Sequence, residues 1–316
     1  MNLFVGVDGG GTKTRAVVAD LNHNVLASGA GGPSNAASQP MERVIASIRE
    51  AVDAALSLAS IPRAQIQQFG FGLAGAESLE IRSRILAALE REFNTTNITL
   101  STDARAALAG AAPDLHNPAM ILIAGTGSVA FARDRTGREA RAGGLGWLIG
   151  DEGSGFWIAR RALEAVLREL DGRGGKTFIT NLLAEKFSVK ESVLLEKIIN
   201  NVYRMDAIPG NVSSLFPLVP EAAAAGDAVA LSILNDAARE LGWLVTAVVE
   251  KLQLQNETLQ ISLLGGLWSA REWLEPPVRE MAKRAAPRSE FTDAKHPAEM
   301  GAALLAMHDF TKKSKA

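Results

Sequence analysis

Apolar and polar residues alternate over the first thirty positions as they do in β-strands, and the spacing then becomes helical. The first three strands predict an antiparallel meander, and the helix that follows is expected to pack on it. A strand, a helix and a further strand complete one α/β unit. The predicted elements are strands at Leu3–Val7, Thr14–Asp20 and Val25–Gly29, a helix at Met41–Ala59, a strand at Gln68–Leu73, a helix at Leu79–Phe93 and a strand at Ile98–Ser101.

A connector with prolines at positions 113 and 118 ends this unit, and a similar order of strand, glycine turn, strand and turn begins after it. The second glycine turn follows the first by about 115 residues, a spacing that suits two similar half-molecules facing each other across a cleft. We therefore infer an internal structural duplication. The later predicted elements are a strand at Met120–Ala124, a strand at Val129–Ala132, helices at Phe156–Leu170, Phe178–Glu185, Ser192–Asn200, Pro220–Ala225, Ala228–Gln253 and Glu272–Ala286, a strand at Leu259–Leu264, a helix at Pro297–Phe310 and a frayed tail at Lys312–Ala316.

The first glycine turn, Asp8–Thr14 (DGGGTKT), is a candidate phosphate-binding site. Glycines let backbone N–H groups approach an anion closely, while Thr12, Thr14 and Lys13 can add hydroxyl donors and a positive charge. An ordinary glycine-rich hairpin turn is the alternative. The segment does not fit a P-loop, because its lysine is displaced by one position. The dinucleotide-like sequence Gly125–Ala130 is followed by a strand where that fingerprint requires a helix.

Composition narrows the possible functions. A chain of 316 residues with 47% hydrophobic content is long enough for two lobes, and 33 basic residues against 35 acidic ones indicate no nucleic-acid surface. The absence of cysteine excludes disulfides, iron–sulfur ligation and a cysteine nucleophile. His23, His116, His296 and His308 show no metal-ligand spacing. With no signal peptide and no apolar stretch long enough for a bilayer, we expect a cytoplasmic protein without a membrane partner.

Three segments together resemble one family of enzymes. Asp8–Thr14, Gly125–Ser128 and Gly144–Ser154, in this order and spacing, resemble the N-acetylglucosamine and glucosamine kinases of the BadF/BadG/BcrA/BcrD-type branch of the actin, Hsp70 and sugar-kinase superfamily. The resemblance spans nearly the whole chain. It implies an α/β fold of two ribonuclease H-like lobes, as in actin-like ATPases, with a cleft between them. The lobes are expected at residues 1–116 and 117–296, with the last helix, in residues 297–316, packing back on the first lobe.

The same resemblance implies an ATP-dependent kinase that uses Mg²⁺ and phosphorylates the 6-hydroxyl of an amino sugar, either N-acetylglucosamine or glucosamine. We expect a homodimer, although the sequence does not determine the oligomeric state. Asp8 resembles the aspartate that holds Mg²⁺ through water, and the alternative is a turn aspartate that bonds its own backbone. By resemblance, the nucleotide-binding residues are Gly10, Gly11, Thr12 and Lys13 in the first turn, Gly125, Thr126 and Gly127 in the second, and Gly265 and Gly266 on the adenosine side. The alternative for Gly265 and Gly266 is an ordinary loop between a strand and a helix.

Asp103 resembles the general base of this family, which accepts the proton of the sugar 6-hydroxyl. Asp103 or Thr102 is also a good helix N-cap, and the two roles can coexist. The resemblance places Asp151, with Glu152, in the sugar-binding loop, although Asp151 also precedes a predicted helix. The other residues implied in sugar binding are Asn35, Gly144, Leu145 and, as a weaker candidate, Ser128. For Asn35 the alternative is a loop residue that bonds its own backbone.

One residue departs from the family pattern. Leu145 stands where the family commonly has a tryptophan, and the sequence does not show whether the neighbouring Trp147 compensates. An aromatic ring would stack on a sugar face, so its loss leaves open which amino sugar is bound among N-acetylglucosamine, glucosamine, N-acetylmuramic acid and related compounds.

Other functions compete with the kinase interpretation. A dehydratase-activating ATPase of the same superfamily branch would need cysteine-bound iron–sulfur, and zinc-containing glucokinases would need a cysteine cluster, so both are disfavoured. A hydrolase is not supported either, because Glu152 stands where a nucleophile elbow around Ser154 would need glycine. A nucleotide- or sugar-binding sensor without turnover stays open.

Overall fold

The computed structural model describes residues 2–203 and 208–313, without the side chain of Ile208. Residues before position 118 form β1 (Leu3–Gly9), β2 (Thr14–Asp20), β3 (Val25–Gly31), α1 (Met41–Ala59), β4 (Ile66–Leu73), α2 (Leu79–Phe93), β5 (Ile98–Thr102) and α3 (Asp103–Ala111). The following elements are β6 (Ala119–Ala124), β7 (Ser128–Arg133), β8 (Glu139–Gly143), α4 (Gly155–Leu170), α5 (Phe178–Lys186), α6 (Leu194–Val202), α7 (Ile208–Ser213), α8 (Leu218–Ala224), α9 (Ala228–Leu252), β9 (Gln260–Leu264), α10 (Arg271–Ala285), β10 (Glu290–Phe291) and α11 (Ala298–Lys313).

These elements form two compact units. The first consists of the described residues of 1–117 and 293–316, and the second of those of 118–292. Each unit contains a five-stranded sheet, in the order β3-β2-β1-β4-β5 in the first and β10-β9-β6-β7-β8 in the second. In both sheets an antiparallel meander begins at the central strand, and two parallel strands lie on its other side. The two sheets therefore have the same topology, which confirms the expected α/β fold of ribonuclease H-like type.

The first unit is closed on one face by α11, which comes from the end of the chain. The helix lies so close to the sheet that a Cβ atom on Gly6 would be 2.1 Å from the Glu299 carbonyl oxygen. On the neighbouring helix α3, Ala106 places its carbonyl oxygen 1.9 Å from where a Cβ of Gly301 would stand. Glycine and alanine at these contacts let α11 approach both the sheet and α3. The other face of the same sheet carries α1 and α2 over a core that includes Val5, Val7, Ile48, Phe71 and Leu89.

The core of the second unit surrounds its longest helix, α9. Buried residues of α9 such as Leu241 and Val245 pack in one cluster with Leu122 of the sheet, Ile158 of α4 and Val278 of α10. Among residues 2–203 and 208–313, no single helix is long and apolar enough to cross a bilayer. One pair of segments, 209–224 and 228–252, meets that length and composition only when taken together across a bend of 119°.

The structure agrees with most predicted elements and differs at a few. The helices predicted at Met41–Ala59 and Leu79–Phe93 have those bounds. The helix predicted to begin at Ser192 starts with a short 3-10 turn, and its α-helical part begins at Leu194. The last helix continues to Lys313, where a tail was expected from Lys312, and residues 314–316 lie outside the described part of the chain. The short elements α7, β8 and β10 were not predicted, because five or six residues, or two for β10, give too little periodicity.

Candidate active site

The first glycine turn joins β1 to β2 as an antiparallel hairpin, in which the Gly10 N–H donates to the Lys13 carbonyl at 3.1 Å. Gly10 and Gly11 have ordinary negative φ angles in place of left-handed ones. A Cβ on Gly11 would meet nothing within 4 Å, and one on Gly10 would lie 3.8 Å from its nearest neighbour. Neither backbone conformation nor packing therefore requires glycine at these two positions. Because both side chains are absent, the space beside the backbone of the turn stays open.

Gly9 and Thr14, at the two ends of this turn, are explained by contacts within the protein. A Cβ on Gly9 would lie 2.3 Å from the Ser34 hydroxyl, so packing explains this glycine. Thr14 is buried, and its hydroxyl donates to the Gly32 carbonyl at 2.6 Å and lies 2.7 Å from the Ser34 hydroxyl. The expectation that Thr14 could offer a donor to a ligand is therefore wrong. Thr12 and Lys13 are exposed, and they are the polar side chains that the turn presents to solvent.

Asp8 lies within β1, paired with Arg15 of β2, and not in the turn itself. The pKa of the Asp8 carboxyl group is raised to about 7, mainly by burial and then by the negative charges of Asp103 and Glu299. The positive charges of Arg15 and Lys13 lower it but are outweighed. The carboxylate of the half-buried Asp8 is thus repelled by those of Asp103 and Glu299, which belong to the same unit.

Glu299 enters this group because of the close approach of α11 to β1. Gly6 and Asp8 lie on the same face of β1, since alternate residues of a strand share a face. Gly6 leaves room for the backbone of α11 at Glu299, and Glu299 as a residue is only 9% exposed. The sequence interpretation missed Glu299. A signal was available, because Glu299 is the only charged residue between Pro297 and His308 in an otherwise apolar helix.

Asp103 lies directly after β5, as the first residue of α3. The structure identifies Thr102 as the N-cap, because its hydroxyl accepts the Arg105 N–H at 3.2 Å. One carboxylate oxygen of Asp103 accepts the Ala104 N–H at 2.8 Å. Asp103 is therefore fixed at the start of the helix, although the capping itself is done by its neighbour.

Asn35 follows the buried Ser34, whose N–H donates to the Gly10 carbonyl at 2.9 Å. This bond attaches the Asn35 loop directly to the first glycine turn. The Asn35 side-chain oxygen accepts the Ala37 N–H at 2.9 Å, so it bonds its own loop. Its amide nitrogen has no hydrogen-bond partner among the described residues and can still donate to a ligand.

The second glycine turn joins β6 to β7, as the sequence predicted. A Cβ on Gly125 would meet nothing within 4 Å, which repeats the open space found at Gly11. Behind the turn, the Gly155 N–H at the start of α4 donates to the Gly125 carbonyl at 2.8 Å. The Ser128 hydroxyl is buried and donates to the Glu152 carbonyl at 2.7 Å, so its hydrogen is already used within the protein.

The loop after β8 carries the other predicted sugar-binding residues of this unit. Gly144 has a left-handed φ of 69°, and Leu145 is 63% exposed. The Trp147 ring packs on Phe156, with 5.2 Å between centroids, and is still partly exposed. An aromatic ring is therefore present two residues from the position at which the family commonly has one.

Asp151 ends this loop and is 8% exposed. It does not cap α4, because Ser154 is the N-cap and accepts the Trp157 N–H. Burial raises the pKa of the Asp151 carboxyl group, while hydrogen bonds from the backbone N–H groups of Ser128 and Gly146 lower it. The raised pKa is the net result.

Gly265 and Gly266 lie at the end of β9, as predicted. Gly265 has a φ of 105°, and its Cβ would lie 2.2 Å from the Ala124 carbonyl oxygen, so both conformation and packing require glycine there. A Cβ on Gly266 would meet nothing within 4 Å. The structure therefore brings Gly266, at the end of a neighbouring parallel strand, to the same edge of the sheet as the second glycine turn.

Comparison with protein families identifies the chain. The model of the BadF/BadG/BcrA/BcrD ATPase family matches residues 5–306. The chain belongs to this ATPase family. Both glycine turns, Asp103 and the loop from Gly144 to Asp151 lie within the matched part.

Members with curated descriptions are similar to this ATPase-family chain over nearly its whole length. An N-acetylmuramic acid/N-acetylglucosamine kinase of Clostridium acetobutylicum is 33% identical over 97% of this chain and 98% of its own. An N-acetyl-D-glucosamine kinase of Dictyostelium discoideum is 29% identical over 97% of this chain and 98% of its own. A crystal structure of a proposed N-acetylglucosamine kinase from Chromobacterium violaceum is 28% identical, covers 97% of this chain and 99% of its own, and superposes with a TM-score of 0.77.

The residues of this ATPase-family member fit ATP and Mg²⁺. Gly11 in the first turn and Gly125 in the second have open space on their Cβ sides, which leaves room for phosphate oxygens beside the backbone of both turns. Among the described residues, no group of three or more His, Cys, Asp or Glu is arranged to hold a metal ion directly. Asp8, with Asp103 and Glu299 nearby, instead offers hard oxygen donors whose mutual repulsion a divalent cation would offset. This donor set suits Mg²⁺, which keeps several of its water molecules.

Proposed function

We propose that the chain is an ATP-dependent kinase that transfers a phosphoryl group to the 6-hydroxyl of an amino sugar. The observation that carries the proposal is the position of Asp103. Its carboxylate is held at the start of α3 by the Ala104 N–H, near Asp8, while Thr102 performs the capping. A carboxylate in that position can accept the hydroxyl proton of an acceptor.

In this proposal each group has a separate task. The bond from the sugar O6 to the γ-phosphorus forms, the bond from that phosphorus to the ADP oxygen breaks, and the O6 proton passes to Asp103. Lys13 and Asp8 act on the phosphate side, Lys13 by its charge and Asp8 through the water shell of Mg²⁺, which neutralises phosphate charge when bound. The proposed nucleotide contacts are Gly10, Gly11, Thr12, Gly125, Thr126, Gly127, Gly265 and Gly266.

The proposed sugar contacts lie on the two loops that are attached to the glycine turns. Asn35 offers its free amide nitrogen, and Asp151 offers carboxylate oxygens, which form stronger hydrogen bonds to hydroxyls than neutral acceptors do. Gly144 and Leu145 contribute backbone groups and an apolar surface. Ser128 can contact the sugar through its oxygen as an acceptor, because its hydrogen is donated to Glu152.

The names of the relatives support an N-acetylated amino sugar as the first acceptor to test. We expect N-acetylglucosamine-dependent release of ADP, measured by a coupled assay, with glucosamine and N-acetylmuramic acid as the compared acceptors. Equal ADP release without any acceptor would instead indicate an ATPase. Binding of ATP and sugar in a thermal-shift assay, without turnover, would indicate a sensor.

The role of Asp103 is tested by Asp103→Asn. The variant keeps an oxygen for the Ala104 N–H but cannot accept a proton, so we expect kcat to fall by a factor of about 100 to 10,000, which is the usual contribution of a general base. The KM for the sugar should change much less.

Thr102→Ala is the matched control. It removes the side chain that caps α3 and is expected to cost about 1 kcal/mol of stability, with kcat nearly unchanged. Full activity in Asp103→Asn would remove Asp103 as the base. Equal losses of activity in both variants would mean that the start of α3, and not a proton acceptor, is what activity requires.

A further inference from the structure

The Asp151 carboxylate fills the space beside Gly127 in the second glycine turn. A Cβ on Gly127 would lie 2.7 Å from Oδ2 of Asp151 and 3.0 Å from its Cγ, and the φ of Gly127 is not left-handed. Gly125 in the same turn has open space on its Cβ side. Glycine at position 127 is therefore explained by the neighbouring carboxylate and not by the turn conformation.

The same carboxylate joins two separate segments of backbone. It accepts the N–H of Ser128, which ends the glycine turn, and the N–H of Gly146, which lies in the loop with Leu145. Asp151 itself has a left-handed φ of 56°, an uncommon conformation for a residue other than glycine. Because Ser154 caps α4, no capping role accounts for the position of Asp151.

Backbone hydrogen bonds bring the two segments together on either side of this carboxylate. The Gly144 N–H donates to the Ser128 carbonyl at 2.7 Å, and the Gly155 N–H donates to the Gly125 carbonyl at 2.8 Å. These bonds set the two segments side by side. The Asp151 carboxylate accepts one backbone N–H from each segment, and a charged acceptor holds N–H donors more strongly than a neutral one.

We propose that Asp151 is a positioning residue for the nucleotide: its carboxylate fixes the turn from Gly125 to Ser128 in the conformation that binds phosphates. The inference rests on the proposed function, in which this turn contacts ATP. A contact between Asp151 and sugar hydroxyls would not include this role, in which the same side chain supports the turn that binds the phosphates. A residue that only touched the sugar would not influence nucleotide binding when the sugar is absent.

The test is the affinity of the full-length protein for Mg·ADP, measured by calorimetry without sugar. In Asp151→Asn one acceptor oxygen becomes an NH₂ group that faces an N–H donor, so the turn loses one of its two attachments. We expect the dissociation constant for ADP to rise about tenfold. Asp171→Asn is the matched control, because Asp171 lies at the far end of α4 from the glycine turn and its carboxylate also accepts a backbone N–H, that of Arg173. The control is expected to stay within twofold of the unchanged protein.

A second variant, Gly127→Ala, approaches the same contact from the other side. Its methyl group would displace the Asp151 carboxylate, so ADP binding should weaken as in Asp151→Asn. In the double variant the two factors should not multiply, since both remove one interaction. If the increases in the ADP dissociation constant multiplied, the methyl group would be obstructing ADP directly. That result would overturn the coupling to Asp151. If Asp151→Asn does not fold, Gly127→Ala decides by itself: unchanged ADP affinity overturns the proposal.

Unchanged ADP affinity in a folded Asp151→Asn protein, with a raised KM for the sugar alone, would also overturn the proposal and leave Asp151 as a sugar contact. The outcomes for the kinase function are separate. If no amino sugar is phosphorylated but Asp151→Asn still weakens ADP binding, the positioning role stands and the proposed reaction fails.

Discussion

The charge on Asp8 is unfavourable to the folded chain when no cation is bound. The folded pKa of about 7 lies above the ordinary value of 3.8, so the folded protein holds a proton that the unfolded chain releases. The free energy of unfolding therefore falls as pH rises from about 4 to about 7. Removing this carboxylate should relieve the penalty at the upper end of this range.

We expect Asp8→Asn to stabilise the metal-free protein more at pH 8 than at pH 4, by about 4 kcal/mol, while abolishing Mg²⁺-dependent turnover. Urea denaturation at both pH values measures the difference. Asp53→Asn, which removes an exposed carboxylate 2.6 Å from Arg63, is the control for surface charge. A stabilisation by Asp8→Asn that does not change with pH would contradict the raised pKa.

The hydrogen bonds of individual side chains could not be predicted from the sequence. The sequence left open whether Thr102 or Asp103 caps α3, because both residue types favour N-caps. Hydrogen-bond geometry decides for Thr102, and no periodicity carries that information. Likewise, nothing in the pattern showed that Thr14 and Ser128 use their hydroxyls inside the protein.

At the scale of elements, two helical glycines have different surroundings. In α11, a Cβ on Gly301 would meet the backbone of α3, 1.9 Å from the Ala106 carbonyl oxygen and 2.5 Å from the Gly110 nitrogen. In α9, a Cβ on Gly242 would meet the sulfur of Met281 at 2.3 Å, and that side chain can change its rotamer. The two glycines should therefore respond differently to an added methyl group.

We expect Gly301→Ala to lower the free energy of unfolding by about 2 to 3 kcal/mol, because the helices must separate. Gly242→Ala should stay within about 1 kcal/mol of the unchanged protein, since alanine favours a helix by a similar amount. Chemical denaturation of both variants gives the comparison. Equal effects would mean that α11 and α3 can move apart without loss.

Elements were the part of the fold that the sequence predicted best. Long amphipathic segments such as α1 and α2 could be placed to the residue, because burial on one face leaves a clear period. The two glycine hairpins indicated the duplication that the sheets share. Glu299 could not be placed near Asp8, because the contact depends on how α11 crosses β1, almost three hundred positions away in sequence.

At the scale of the whole molecule, all four histidines lie close together in the first unit. His23, His116 and His308 line one surface cavity, and the ring of His296 lies 6.0 Å from that of His23. Burial lowers the pKa of His296, with further lowering by His23 and Lys295.

His308 belongs to the same group. Burial and then Lys312 lower its pKa, with smaller lowering by His116 and Arg105, while Asp309 raises it. The unfolded chain, in which histidine has a pKa near 6.5, therefore takes up protons first as pH falls.

We expect these histidines to make the protein less stable as pH falls below about 6.5, the opposite sign to the effect of Asp8. Urea denaturation of a His296→Asn/His308→Asn variant isolates the effect. Its stability relative to the unchanged protein should improve between pH 7.5 and pH 5.5. The change with pH should be absent if both histidines titrate normally in the folded state. His23→Asn, on the exposed side of the pair, is the companion variant for the contact with His296.

The position of α11 in the first unit bears on how the chain is synthesised. Phe4, Val17 and Ala19 on one face of the first sheet are buried by Met300, Ala303 and other residues of α11. A ribosome must deliver the whole second unit before that helix emerges, which takes roughly 10 to 40 seconds at about 5 to 20 residues per second. The half of the protein that is made first is thus the last to be finished.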